Sequence, residues 1–324
     1  MKAIVEEIRR GQRFLVATHV NPEGDALGSL LGLGLCLRGL GKRVTFFDCD
    51  PVPAYLGFLP GAEEIVHDGA ALADYDAAFI VDCGTLDRLG EGFTKIRGIR
   101  KLINLDHHLT NHGFADLSYV DPKACATGEV VYRLMKAIPA SLTREIALCL
   151  YTAIVTDTGS FRYSNTTPEV HQIVAELLQY GVDPWEVSLH LFESDPPQRI
   201  ALLGEVLATL ELRAGGRLAA VHVTQAMLRA HQATPDLTEG FVNYTRGIRG
   251  VEVGLLFREL PDGTHKVSLR SKGRVNVAEV AEEFGGGGHA NAAGCAIKGD
   301  LAAARERMFA VVERRLAGLG PCAT

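Results

Sequence analysis

Eight side chains suited to acid–base or metal chemistry stand close behind short apolar runs. Lys101-Leu102-Ile103-Asn104-Leu105 stops on Asp106-His107-His108, and Phe14-Leu15-Val16-Ala17 leads into His19-Val20-Asn21-Pro22-Glu23-Gly24-Asp25. Ala77-Ala78-Phe79-Ile80-Val81 runs into Asp82-Cys83-Gly84, and Ala153-Ile154-Val155 into Asp157-Thr158-Gly159. Each run has the length of a buried strand, and open α/β sheets place ligand sites at the carboxyl ends of their strands. Any one of these acids has an ordinary use as a helix cap or a solvated loop residue. Four acid-bearing ends together argue for a shared site.

His19, Glu23, Asp25, Asp82, His107, His108 and Asp157 make a set of carboxylates and imidazoles that suits manganese better than zinc. The set exceeds the needs of one ion. Two ions roughly 3.5–4 Å apart, bridged by a carboxylate and a hydroxide, would use it and would promote in-line displacement at phosphorus. Without metal, so many clustered carboxylates would repel one another and raise their own pKa values.

The elements that must position these groups follow from the pattern around them. Residues 1–11 predict a helix and 14–18 a buried strand. Pro22 and Gly24 interrupt regular structure, and Asp25 is placed to cap the helix that follows. Residues 26–40 are apolar almost all round, with Gly28, Gly32 and Gly34 permitting close packing against a sheet. Residues 44–47, 76–82 and 100–105 read as further strands. Strands alternating with helices imply a parallel sheet wound with helices on both faces. Residues 127–138, 143–156 and 167–180 read as helices, and periodicity leaves open whether Asp157 closes a helix or a strand.

Prolines punctuate residues 183–197, the expected junction between two domains, and a helix over 198–210 is expected to span it. Beyond it, strands at 218–223, 252–257 and 265–269 and helices at 237–248, 275–284 and 301–316 describe a smaller α/β unit. Its chemistry gathers in Arg270, at the end of an apolar strand, and in Gly285-Gly286-Gly287-Gly288-His289. Successive glycines lift the steric limit on positive φ, so their N–H groups can converge on an anion, with Arg270 and His289 beside them as a phosphate grip. Lys272 and Arg274 read as solvated charges. Phe161, Tyr163 and Tyr244 are the candidates for stacking a base.

The 324 residues carry a net charge of −6 and are 47% hydrophobic, enough for two cores and unsuited to a long duplex footprint. A nucleotide ligand should therefore be short. Seven scattered cysteines without a C-x-x-C pair point to reduced thiols. The first ten residues lack the core of a signal peptide, and the longest apolar stretch, 26–37, falls short of the roughly 20 residues that span a bilayer. A soluble cytoplasmic protein is expected.

His19-x-Asn21-Pro22-Glu23-Gly24-Asp25, Asp82-Cys83-Gly84, Asp106-His107-His108 and Asp157-Thr158-Gly159, in this order and spacing, resemble the motifs of the DHH phosphoesterase superfamily. Gly286-Gly287-Gly288-His289 with Ala292-Ala293-Gly294 is similar to the glycine-rich motif of that family's associated C-terminal domain. Within the superfamily the chain most resembles the NrnA-type nano-RNases, which also act as 3′-phosphoadenosine-5′-phosphate phosphatases. The resemblance implies an α/β fold, with a parallel-sheet catalytic domain over 1–185, a helical linker over 186–212, and a smaller α/β substrate-binding domain over 213–324 across a cleft.

The same resemblance implies one manganese held by His19, Glu23 and Asp82 and a second by Asp25, Asp82, His107 and Asp157, with Mg2+ or Co2+ as substitutes. His108 would contact the phosphoryl group and Asp106 would fix imidazole orientation. Arg270, Gly286, Gly287, Gly288 and His289 would grip the terminal nucleotide. The chain departs from the family in carrying Glu23 where Asp is usual, and the added methylene is expected to loosen the first metal site or change its denticity. Short single-stranded oligoribonucleotides and nucleotide bisphosphates are the implied ligands, with no membrane partner and with a homodimer left open. The rivals are a soluble phosphodiesterase for cyclic di-AMP or its linear product, and a non-catalytic nucleotide sensor.

Overall fold

The computed structural model describes residues 1–111 and 113–320. The chain forms two compact units, Met1–Ser194 and Asp195–Thr324. In the first, the strands are β1 (Arg13–Ala17), β2 (Arg43–Phe47), β3 (Ala73–Tyr75), β4 (Ala77–Val81), β5 (Arg97–Ile99), β6 (Leu102–Asp106) and β7 (Leu117–Val120). Five of them form a parallel sheet in the order β2-β1-β4-β6-β7, while β3 and β5 pair separately.

Alternation along the strands divides the core in two. Phe14 and Val16 of β1 pack with Phe79 and Val81 of β4 on one face, and Leu15 and Ala17 pack with Ala78 and Ile80 on the other. The first face is covered by the helices Gly24–Gly39, Thr127–Lys136 and Arg144–Asp157. The second carries a thinner cover that includes Leu89 and Phe93, from a 3-10 turn and a four-residue helix. A sheet buried on both faces reads as unbroken apolar runs, which is why β1 and β4 were legible as strands.

The chain leaves β1 for β2 on one side and returns to β4 on the other, so the order reverses between β1 and β4. Loops leaving the carboxyl ends of such neighbours diverge and open a crevice. His19 follows β1 and Asp82 follows β4.

One open question is settled here and one expectation is corrected. Asp157 is the last residue of the helix Arg144–Asp157 and follows no strand. The run 153–155 is short and apolar because that helix is buried nearly all round, a pattern periodicity cannot separate from a strand. The cap of the helix Gly24–Gly39 is Glu23, whose carboxylate accepts from the N–H groups of Asp25 and Ala26 at 2.8 and 2.9 Å, rather than Asp25.

In the second unit β8 (Glu211–Arg213), β9 (Leu218–Val223), β10 (Val253–Glu259), β11 (His265–Ser271), β12 (Gly287–His289) and β13 (Ala292–Ile297) form one sheet in the order β12-β13-β11-β10-β9-β8. Only β9 and β10 run parallel within it. The helix Pro197–Leu207 opens this unit and is no free connector, since Leu202 and Val206 are buried with Val221, Val223 and Phe241. The helix expected over 237–248 is broken. A 3-10 turn, Pro235–Thr238, is followed by Gly240 at φ 79 and then by the short helix Val242–Gly247.

Candidate metal centre

Asp82 stands at the crevice in the left-handed region, at φ 53, an uncommon conformation for a residue with a Cβ. Its N–H is bonded to the carbonyl of Leu105 at 3.0 Å, and its carboxylate is buried. The two oxygens face different partners. Oδ2 lies 3.5 Å from Nε2 of His19, while Oδ1 lies 3.6 Å from Nε2 of His107.

Each imidazole is held by its other nitrogen. His19 Nδ1 donates to its neighbour's carbonyl, Val20 O, at 2.9 Å, and His107 Nδ1 donates to Ala124 O at 3.1 Å. A carbonyl only accepts, so in the neutral ring the proton sits on Nδ1 and the lone pair of Nε2 faces the acids, the arrangement of a metal-binding histidine.

Around these two rings the remaining acids divide into two sets. Glu23 Oε1 is 4.0 Å from His19 Nε2. Asp25 Oδ2 and Asp157 Oδ2 are each 3.7 Å from His107 Nε2. His19, Glu23 and Asp82 form one compact donor group and Asp25, Asp82 and His107 another, with Asp82 in both. The gaps are too long for hydrogen bonds and close to the roughly 3–3.5 Å that two ligands of one cation keep.

The electrostatics agree with that fit. Burial, with the charges of Asp82, Asp157 and Glu23 adding to it, pushes Asp25 well above the usual carboxylate range. Asp157 is pushed up to about 6 by burial and by Asp82, with His107 opposing, and Glu23 is raised in the same direction by lost hydration and by Asp82. For Asp82 burial is outweighed by the nearness of His19 and by the charges of His108 and His107, which hold it far below that range. Divalent cations are the natural relief for such crowding, and the hard oxygen and imidazole donors suit them.

Asp106 has a different task. It is wholly buried, and Oδ1 accepts from the N–H of His107 at 2.8 Å and from Nδ1 of His108 at 2.6 Å. Oδ2 accepts from Asn111 Nδ2 at 2.6 Å, and Asn111 also donates to Asn104 Oδ1 at 2.7 Å. Burial alone would lower the pKa of His108, but this pairing and the charges of Asp82 and Asp106 raise it to about 9.

Asn104, Asn111 and Thr127 are partners that the sequence reading passed over. Thr127 donates its hydroxyl to Asp82 Oδ1 at 2.9 Å, while the N–H groups of Thr127 and Gly128, at the start of the helix Thr127–Lys136, bond the Asp25 carboxylate at 2.7 and 2.9 Å. Asn104 had left a trace: a polar residue in the middle of a buried strand must have a hydrogen-bonding reason to be there.

In the second unit, Arg270 of β11 and His289 of β12 both register with Ala292 of β13, from opposite sides. Residues in register share a face of a sheet, so the guanidinium and the imidazole stand on one face with a single small side chain between them. The glycine run is corrected. Gly285 and Gly286 give their N–H groups to Glu282 and Ala281, and Gly287–His289 pairs as a strand, so the four amides do not converge as a cradle. A helix end took the first two amides, and a sheet edge took in the rest of the run. Gly288 at φ 143 is still required, because a Cβ there would meet Ala292 O at 2.5 Å.

Residues 13–154 match the model of the DHH family, N-terminal domain, and residues 215–318 that of the DHHA1 domain. Over 310 residues the chain is 38% identical to the bifunctional oligoribonuclease and PAP phosphatase NrnA of Thermus thermophilus, covering 94% of this chain and 90% of that protein. The protein of the same name from Bacillus subtilis is 28% identical over 297 residues, covering 91% and 92%. The crystal structure of an exopolyphosphatase-related protein from Bacteroides fragilis matches with a TM-score of 0.89 at 28% identity, covering 98% of this chain and 95% of that one. The motifs at His19–Asp25, Asp82, Asp106–His108 and Asp157 thus lie in a chain that belongs to the DHH family, with a DHHA1 domain following in sequence.

Proposed function

We propose that this protein is a divalent-metal phosphohydrolase that releases mononucleotides from short oligoribonucleotides and converts 3′-phosphoadenosine-5′-phosphate to AMP and phosphate. The observation that carries the reading is Asp82, whose Oδ2 and Oδ1 address two separate groups of donors. The activities printed in the names of the Thermus and Bacillus relatives support the choice of substrates.

His19, Glu23 and Asp82 would hold one ion, and Asp25, Asp82, His107 and Asp157 the other, with Mn2+ as the metal and Mg2+ or Co2+ as substitutes. When bound, such a pair supplies an acidified water and neutralises charge on a phosphoryl group. The chain's own residues set the rest of the chemistry. His108, whose pKa its pairing with Asp106 raises against the opposing effect of burial, can donate to a phosphoryl oxygen as negative charge grows there. Asp106, anchored through Asn111 and Asn104, holds that ring in place so that no reorganisation is needed during reaction. In the second unit Arg270 and His289 form the grip for a substrate phosphate, with Gly286, Gly287 and Gly288 holding the strand edge that presents His289.

The test is to strip the protein with chelator, restore Mn2+, and follow release from oligoribonucleotides of two to five residues, 3′-phosphoadenosine-5′-phosphate, pyrophosphate and cyclic di-AMP. Metal-restored activity on the first two is expected. Preference for cyclic di-AMP would move the assignment to a dinucleotide phosphodiesterase. Nucleotide binding without turnover of any substrate would make the protein a sensor.

A further inference from the structure

One cation at the edge of the metal centre belongs to none of its acid pairs, beside which Asp48 and Asp50 add carboxylates near His19 and its loop. Glu23, Asp25, Asp82 and Asp157 balance two divalent ions, and Asp106 balances the His108 imidazolium bonded to it at 2.6 Å. Arg88 has no such counterpart. It lies on the 3-10 turn Leu86–Leu89, shortly after Asp82, and its carbonyl accepts the N–H of Val20 at 2.7 Å. That bond staples the turn to the loop bearing His19 and Glu23. The side chain is exposed, and among the described residues it has no ion-pair or hydrogen-bond partner. Its positive charge is nonetheless felt at His19, at His108 and at Cys83, opposing protonation of the two imidazoles. A guanidinium whose charge bears on two histidines, and which makes no ion pair among the described residues, is available to an anion.

We infer that Arg88 is a substrate-binding residue whose guanidinium contacts the oxygens of the phosphate being hydrolysed, on the exposed side of the metal centre. The phosphate is the one anion that the function proposed above brings to this place, so the inference rests on that reading. Guanidinium suits it, since its planar fork can engage two phosphate oxygens at once. The staple to Val20 uses only the backbone carbonyl, so it survives side-chain substitution and separates the two roles.

The experiment compares wild type, Arg88→Gln and Arg88→Lys. AMP affinity is measured by calorimetry with and without Mn2+, kcat and KM on a diribonucleotide, and Tm in the same buffer. Arg88→Gln should weaken AMP binding by about tenfold or more, with a comparable loss in kcat/KM, an unchanged Tm, and partial recovery in Arg88→Lys. AMP affinity and kcat/KM within about twofold of wild type in Arg88→Gln would overturn the inference, that being the scatter of a surface change with no ligand contact. A drop in Tm matching the loss of affinity would overturn it too, by making Arg88 structural. Failure of the functional reading looks different: wild type would hydrolyse none of the substrates, while the tenfold effect on AMP binding would persist.

Discussion

Asp82 combines a strained backbone, burial and two separate sets of neighbours, and the three belong together. Holding a residue with a Cβ in the left-handed region costs roughly 1–2 kcal/mol, and here it places a carboxylate with one oxygen toward His19 and the other toward His107. Removing it should damage both donor groups at once. Asp82→Ala is expected to lower kcat on every substrate by on the order of a thousandfold and to reduce bound metal, measured by atomic absorption after dialysis; two ions still bound would contradict the bridging role. His108 gives a second prediction. Its folded pKa of about 9 lies above the ordinary histidine value, so its stabilising contribution is complete below about pH 6.5 and is lost as pH rises through about 9. Thermal melts of metal-free protein at pH 6 and pH 9.5 should show that loss, and Asp106→Asn should reduce the difference between them. An Asp106→Asn protein with the same pH dependence as wild type would remove Asp106 as its cause.

At the scale of elements, the centre depends on how closely two helices approach. Gly24–Gly39 carries Asp25 in its first turn, and Arg144–Asp157 carries Asp157 at its end. Between them Gly28 has no room for a side chain: a Cβ would lie 2.4 Å from Cys149 O and 3.0 Å from Ala153. The obstacle is backbone, which cannot turn aside as a flexible side chain can. Gly28→Ala should therefore cost about 1–3 kcal/mol of stability, read from denaturant melts, and on the proposed ligand assignment should also weaken metal binding by pushing apart the two helices that carry Asp25 and Asp157. A destabilised variant with unchanged metal affinity would show that the spacing of these helices does not tune the site.

The whole chain sets its apolar cores against an expensive polar centre. The buried core of the second unit includes Phe257, Phe309 and Met308, whereas the first unit must keep Asp25, Asp82 and Asp106 out of water in the middle of its own. Carboxylates whose folded pKa is raised bind protons more tightly in the folded state, so metal-free stability falls as pH climbs from about 4 through about 6, where Asp157 titrates, and further as Glu23 and Asp25 ionise. Cations relieve that repulsion most when the acids are ionised. The rise in Tm on adding Mn2+ should accordingly be larger at pH 8 than at pH 5.5, by differential scanning fluorimetry; an equal or smaller rise at pH 8 would place the metal elsewhere. Much of this was written in the linear order. The unbroken apolar runs of β1 and β4 announced a sheet buried on both faces, and the polar groups behind them announced a site, because burying strands is a local matter of composition and periodicity. Folding alone decided that Asp157 ends a helix, that Glu23 rather than Asp25 caps one, that the glycine run joins a sheet edge, and that Asn104, Asn111 and Thr127 complete the polar network. Those outcomes are contests between partners distant in sequence, in which a group takes the hydrogen bond that packing brings within reach, and no local pattern records which partner that is.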